Sequence, residues 1–275
     1  MKSNARGSAL DLYMLNARLG LGPFLGGIPY PRYIEYPIAL DLAGDVNGKR
    51  ILDIGSGRRA RFPLYLMSNL TFGDVFATDI RGYGDSHAKL AEKVRSASSR
   101  ANFYSEPQDA TKLTYPDAHF DVVFALSTVE HIPGDGDSAA IAEISRVLRP
   151  GGVAVISVPF TSAGYREEYR NLDVSGHEHR DEVFYERVYD TAALEKRLLE
   201  PLGLDRVQRV FFGEPNFQFW SGFYYRLLVL PQKYQWLTLP FRATMPLLSS
   251  AFLDQIDSGH PHVLGVVIKA SSRSR

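Results

Sequence analysis

Residues 48–66 read GKRILDIGSGRRARFPLYL. The segment RILDI (50–54) has the length and apolar content of a buried strand. Gly55-Ser56-Gly57 breaks it, and the residues that follow suit a helix. Glycine permits a positive φ and lets a ligand approach the backbone, while the first N–H groups of a helix are unpaired donors. Such a turn holds part of a nucleotide. Two ligands compete for it: a dinucleotide with its pyrophosphate, or a molecule with an adenosine end and no phosphate there.

Gly55-Ser-Gly57-Arg-Arg-Ala60 satisfies the loose dinucleotide pattern, with Ala60 at the third small position. Three acidic residues bear on the choice. Asp53 stands two residues before the first glycine, where its carboxylate repels a pyrophosphate and attracts an ammonium group. Asp79 ends the next strand in FATDI, where a carboxylate accepts both hydroxyls of a ribose, which fits either ligand. Asp109-Ala110, in PQDATKLTYPDAHFDVVFAL, adds a polar contact after the third strand.

Around this turn the chain alternates short apolar runs with helical patterns, the signature of a parallel sheet covered by helices. Expected strands are 50–54, 75–79, 101–105, 120–126, 152–159, 204–212 and 262–270. Expected helices include 86–97, 137–148 and 190–203. In the second of these Ile141, Ile144 and Leu148 share a face, and Pro150-Gly151-Gly152 ends the pattern.

The ordered set LDIGSG, ATD, QDA, FDVVFALSTVEHI and ISRVLRPGGVAVISVP, over about residues 48–160, resembles the class I S-adenosylmethionine-dependent methyltransferases, type 11-like. The resemblance implies a Rossmann-like sheet of seven strands, mostly parallel with the last antiparallel, and S-adenosyl-L-methionine as cofactor. It implies that Gly55, Ser56 and Gly57 shape the loop under the methionine part, with Asp53 near its amino group. Asp79 would hold the ribose hydroxyls with Ile80 beside the adenine. Asp109 would accept from the adenine amino group, with Ala110 next to it, and Ser127 would lie by the methionine portion. Many members carry a third glycine where this chain has Arg59 or Ala60.

Methyl transfer from a sulfonium is an in-line displacement, so a base is needed only where the acceptor must lose a proton. Candidate bases are His131, in EHI after the fourth strand, and His177 and His179 in GHEH after the fifth. Glu130-His131 also resembles the metal-binding pair of the ubiquinone-pathway O-methyltransferases. That family has a further Glu three residues earlier, where this chain has Ser127, so no metal is expected. Arg58, Arg59 and Arg61 suit either a methionine carboxylate, an acidic substrate or a solvated face.

The chain has 275 residues, 45% hydrophobic and 23% charged, with 31 basic against 31 acidic side chains and no cysteine. The zero balance gives no electrostatic reason to expect nucleic acid as partner. The lack of cysteine excludes disulfides and a thiol nucleophile, and fits a cytoplasmic location. The N-terminus lacks the apolar core of a signal peptide, and the apolar window 217–231 is too interrupted to span a bilayer.

Three regions are expected: a helical extension at 1–47; a cofactor-binding core at 48–212 plus 262–275; and an aromatic-rich cap at 213–261, between the last two strands. The cap holds both tryptophans, Trp220 and Trp236. Its aromatics suit its own small core, a wall over a hydrophobic or aromatic acceptor, a homodimer contact or a membrane surface. The tract FLGGIPYPRYIEYP (24–37) is expected to pack over the cofactor as the other half of a lid. The expected reaction is methylation of a small molecule, at oxygen. The rivals are an NAD(P)-dependent oxidoreductase and a non-catalytic binding relative.

Overall fold

The computed structural model describes residues 2–20, 28–96, 99–172, 177–216 and 252–271. Two helices, α1 (Lys2–Leu19) and α2 (Arg32–Ala43), precede the first strand. The core then alternates: β1 (Arg50–Ile54), α3 (Arg61–Asn69), β2 (Phe72–Asp79), α4 (Gly84–Val94), β3 (Arg100–Pro107), β4 (Phe120–Leu126), α5 (Gly136–Val147) and β5 (Leu148–Pro159). A hairpin of β6 (Arg166–Leu172) and β7 (Glu178–Val188) follows. A helix over 191–202, α6, contains one π turn at Glu195–Leu199. The strands β8 (Arg206–Gly213), β9 (Asp254–Gln255) and β10 (Val263–Ser271) complete the chain.

The sheet order is β3-β2-β1-β4-β5-β10-β8-β9, with β1 to β5 parallel and β10 antiparallel to both its neighbours. The chain leaves β1 toward β2 and β3, then returns to lay β4 on β1's other side. The crevice outside the carboxyl ends of β1 and β4 is therefore the switch point where such sheets bind ligands.

Apolar runs in the central strands alternate between two cores, as the two-residue period of a strand requires. In β4, Val122, Phe124 and Leu126 join one core with Leu12, Ile38, Leu64 and Ala91 of α1 to α4. Val123 and Ala125 join the other with Ile141 and Ile144 of α5 and Leu198 and Leu202 of α6. Helices thus cover both faces, and the Rossmann-like expectation holds.

Two features depart from the expectation. The sheet has eight strands rather than seven, because the two residues of β9 pair with Phe212 and Gly213 of β8. A run of two has no period to read. The stretch after β5, expected as loop, is a separate antiparallel hairpin, and His179 lies on its strand β7. REEYRNL and EHRDEVFYERV carry charge on both faces, so no apolar alternation marks them as strands. Most of the expected cap, 217–251, with Trp220 and Trp236, lies outside the described residues.

Candidate active site

The floor of the crevice is built by β1 and β2. Ser56 N–H donates to the Thr78 carbonyl at 2.8 Å, and Thr78 Oγ1 donates to the Asp53 carbonyl at 2.9 Å. Gly57 N–H then donates to Asp79 Oδ2 at 3.0 Å, while Asp79 Oδ1 accepts from Arg81 N–H at 3.0 Å. Asp53 Oδ2 accepts from Ser56 Oγ at 2.6 Å. The two carboxylates closing β1 and β2 therefore hold opposite arms of one glycine turn.

Gly55, at φ 74°, has no room for a side chain: an added Cβ would sit 2.2 Å from Cγ2 of Thr128. Thr128, at the end of β4, donates from Oγ1 to the Ile54 carbonyl at 3.1 Å, so it is fixed where β1 and β4 part. Gly55→Ala is expected to cost about 3 kcal/mol, since the Cβ meets a branched, stiff side chain at a strained φ. A urea midpoint lowered at constant slope would register it. Ala60 stands at the third small position with φ 43° and is fully buried. The backbone there takes the left-handed turn without a glycine.

A histidine that sequence reasoning missed braces this turn from behind. His87 of α4 is 1% exposed and its Nε2 lies 3.0 Å from the Gly57 carbonyl. A carbonyl only accepts, so Nε2 carries the hydrogen and Nδ1 accepts from Ser105 Oγ at 2.9 Å. Burial pushes the imidazole below its usual range. It is a neutral prop.

Asp53 is 3% exposed, and among the described residues no cation lies within ion-pair distance of it. Burial, with Asp79 nearby adding like charge, pushes its carboxyl up to about 7, against the opposing hydrogen bond from Ser56. Ile80, directly after Asp79, is 73% exposed. Gln108 N–H donates to the Asp79 carbonyl at 2.9 Å, which brings the Asp109-Ala110 turn beside β2. Asp109 itself is exposed, and its carboxylate is held below the usual range by the Thr111 hydroxyl and N–H.

Above the floor sits α2. Its Glu35 is 1% exposed, accepts from Ser127 Oγ at 2.8 Å, and also accepts from Ser157 Oγ at the end of β5. Arg32 donates to both Glu35 and Ser127. Ser127 has φ 44°, a strained conformation held by its N–H bonds to Ser157. Tyr36 packs on Phe62 at 5.0 Å. Burial pushes its phenol up to about 12, with Arg32 and Arg61 opposing and Glu35 and Asp53 adding to the rise. Of the basic run, Arg58 and Arg59 are exposed and Arg61 turns inward; burial pushes Arg61 down to about 10, with Tyr36 opposing. Tyr30, just before α2, donates to Glu214 Oε1 at 2.9 Å and ties this layer to the residues after β8.

His131 lies on the turn Val129–His131 after β4. Its Nδ1 is 2.7 Å from the Tyr185 carbonyl of β7, so Nδ1 carries the hydrogen and Nε2 presents its lone pair. Burial pushes the imidazole down to about 4, with the Tyr185 carbonyl opposing and Arg32 and Arg170 adding to the fall. The other two candidate bases are elsewhere. His177 is exposed, 3.4 Å from Arg81, and His179 is exposed on β7. No described contact joins either to His131.

The hairpin also bolts down the His131 turn. Arg187 is fully buried under Phe184, donates to the Ile132 and Gly134 carbonyls, and lies 3.4 Å from Glu167 and 3.7 Å from Asp137. Arg187→Met orphans the Ile132 carbonyl and removes the cation beside Glu167, while the Gly134 carbonyl and Asp137 keep Arg197. It is expected to cost about 1–3 kcal/mol, read as a lowered urea midpoint.

Residues 52–156 match the family model described as methyltransferase domain. Over those residues the chain is similar to the class I S-adenosylmethionine-dependent methyltransferases. The chain is 37% identical over 105 residues to the 27-O-demethylrifamycin SV methyltransferase of Amycolatopsis mediterranei, covering 38% of this chain and 36% of that one. Similarity to the ubiquinone/menaquinone biosynthesis C-methyltransferase of Pseudomonas putida is 33% over 121 residues, covering 42% and 44%. The phosphatidylethanolamine N-methyltransferase of Cereibacter sphaeroides is 30% identical over 112 residues, covering 41% and 51%.

The chain therefore spans about half or less of the length of these curated relatives. In fold it resembles the YcgJ protein of Bacillus subtilis (TM-score 0.53, 13% identity, covering 88% of this chain and 99% of that one). It also resembles the [4+2]-cyclase SpnF (TM-score 0.51, 19% identity, covering 86% and 80%). Arg32, Glu35 and Tyr36 precede the matched residues 52–156 in sequence, and the hairpin follows them. Their only signal was a charged pair at i and i+3 inside an aromatic tract.

Proposed function

We propose that this protein moves a methyl group from S-adenosyl-L-methionine to an oxygen of a small molecule. The observation that carries the reading is Asp53: a carboxylate buried without a described cationic partner, beside the carboxylate of Asp79, on the turn where a ligand would lie. A diphosphate is repelled there. An ammonium group neutralises Asp53, and ribose hydroxyls suit Asp79, whose carboxylate retains lone pairs beyond its two N–H partners. The exposed Ile80 offers an apolar face for a purine. These residues fit an adenosyl amino acid, with Gly55, Ser56 and Gly57 beneath it, Asp109 and Ala110 at the purine edge, and Ser127 with Arg32 near its carboxylate end.

When bound, that group supplies the activated methyl. This chain's residues bind, align and exclude water. The α2 layer, anchored through Glu35 to Ser127 and Ser157, closes the crevice from above. His131, its tautomer set by Tyr185, takes the proton of the acceptor hydroxyl at Nε2. The Tyr30–Glu214 hydrogen bond ties the residues before α2 to those after β8, at the edge of the core; most of the expected cap at 213–261 lies outside the described residues. The aromatic content of that segment's sequence suits a hydrophobic or aromatic acceptor. None of the helices among the described residues is long and apolar enough to cross a membrane.

A second reading has support in the likeness to a [4+2]-cyclase: this fold serves chemistry other than methyl transfer. One experiment separates the readings. Calorimetry with S-adenosylhomocysteine and with NADPH, followed by a product screen with labelled methyl donor, is expected to give binding of the first alone and a labelled product. Binding of NADPH alone would replace the reading with an oxidoreductase. Binding of S-adenosylhomocysteine with no labelled product across acceptor classes would favour the non-methylating reading.

A further inference from the structure

Beside His131 lies a carboxyl that the proposed reaction has not used. Glu130 is 1% exposed, its Oε1 is 3.9 Å from Nε2 of His131, and its Oε2 has no hydrogen-bond partner among the described residues. The charged groups facing it are Arg32 and Glu35 from α2 and Glu186 from β7, with Arg170 of β6 facing the imidazole. Arg32 is already engaged by Glu35 and Ser127, and Arg170 by Glu168 and Glu186. A carboxylate in such a place lacks the partners that make buried charge tolerable, so it holds a proton more tightly than usual.

Two opposite displacements result. Burial, with Glu186 and Glu35 adding to it, raises Glu130 well above the ordinary carboxylate range, while its own N–H and Arg32 oppose the rise. The neighbouring imidazole falls to about 4. In water imidazole is the stronger base by about two pH units. Here the order is reversed, across a gap one small group can bridge.

We propose that Glu130 and His131 act as one proton-accepting pair in which the carboxylate, and not the imidazole, is the final resting place of the acceptor's proton. The inference rests on the methyl-transfer reading. The pair enters with Glu130 ionised and His131 neutral. The acceptor O–H bond breaks as its oxygen bonds the methyl carbon, and the bond from that carbon to sulfur breaks with its electrons left on sulfur. The proton passes to Nε2 of His131 and from there, relayed by one water across the 3.9 Å gap, to Oε1 of Glu130, which leaves a neutral carboxyl and a neutral imidazole. Glu130 meets neither the acceptor nor the methyl donor; it is a positioning residue that acts through His131 and sets the pH above which the pair is vacant.

The test needs no acceptor. In the full-length protein labelled with 15N-histidine and 13C-glutamate carboxyl, NMR reads each group directly. His131, identified by the line lost in His131→Gln, is expected to show hydrogen on Nδ1 and a bare Nε2, and to stay neutral from pH 8 down to pH 5. One glutamate carboxyl, lost in Glu130→Gln, is expected to titrate well above the ordinary value of about 4.3. A Glu130 line titrating below pH 5, or a His131 imidazole gaining its proton near pH 6.5, would overturn the proposal. The histidine line decides the matter in the wild type even if Glu130→Gln does not fold. Loss of S-adenosylhomocysteine binding would instead strike the methyl-transfer reading and leave these titrations standing.

Discussion

Asp53→Asn is expected to weaken S-adenosylhomocysteine binding about a hundredfold and to remove its dependence on pH. The wild-type carboxyl is pushed up to about 7 by burial, so the unliganded protein carries it partly protonated at neutral pH. An ammonium ligand binds the ionised form. Affinity should therefore be full well above pH 7 and fall as pH drops through 7, approaching tenfold per unit below it, with one proton released on binding. Calorimetry in buffers of different ionisation heat, between pH 6 and 8, measures both the slope and the proton. The amide keeps the hydrogen bond with Ser56 and loses the charge. Equal, pH-independent affinity in both proteins would mean that Asp53 faces no cation.

The second large effect is at His131. His131→Asn should lower kcat about 10²- to 10³-fold on an oxygen acceptor, the range of a positioned proton acceptor. Binding of S-adenosylhomocysteine should stay within about twofold, because the imidazole is held by Tyr185 and lies outside the Asp53–Asp79 hollow. A drop in affinity equal to the drop in rate would make His131 a structural prop of the turn. His177→Asn and His179→Asn, both exposed, are expected to leave kcat unchanged.

What the sequence made legible follows from where periodicity and glycine chemistry are strong. RILDI and FDVVFAL are buried on both faces, so their bounds are read to the residue as β1 and β4. Gly55 is required by Thr128 and by its φ, and a strand-turn-helix pattern marks such a position on its own. The Glu35 reach to Ser127 spans 92 residues and the Tyr185 hold on His131 spans 54. Neither has a local signal, since each depends on how distant elements stack. The hairpin went unread for a related reason: its stability comes from Arg187 and from cross-strand pairs such as Tyr169–Phe184, not from an apolar face of its own. His87 was hidden because a helix face shows which residues turn inward, not what a buried imidazole will hold.

The account stands on the hollow between the carboxylates of Asp53 and Asp79, and calorimetry of S-adenosylhomocysteine with wild type against Asp79→Ala tests it most directly. Asp79 offers its lone pairs to the ribose and also holds Gly57 N–H. The wild type is expected to bind one equivalent and the variant to lose at least about a hundredfold in affinity while unfolding cooperatively. Wild type and variant binding alike would contradict the claim.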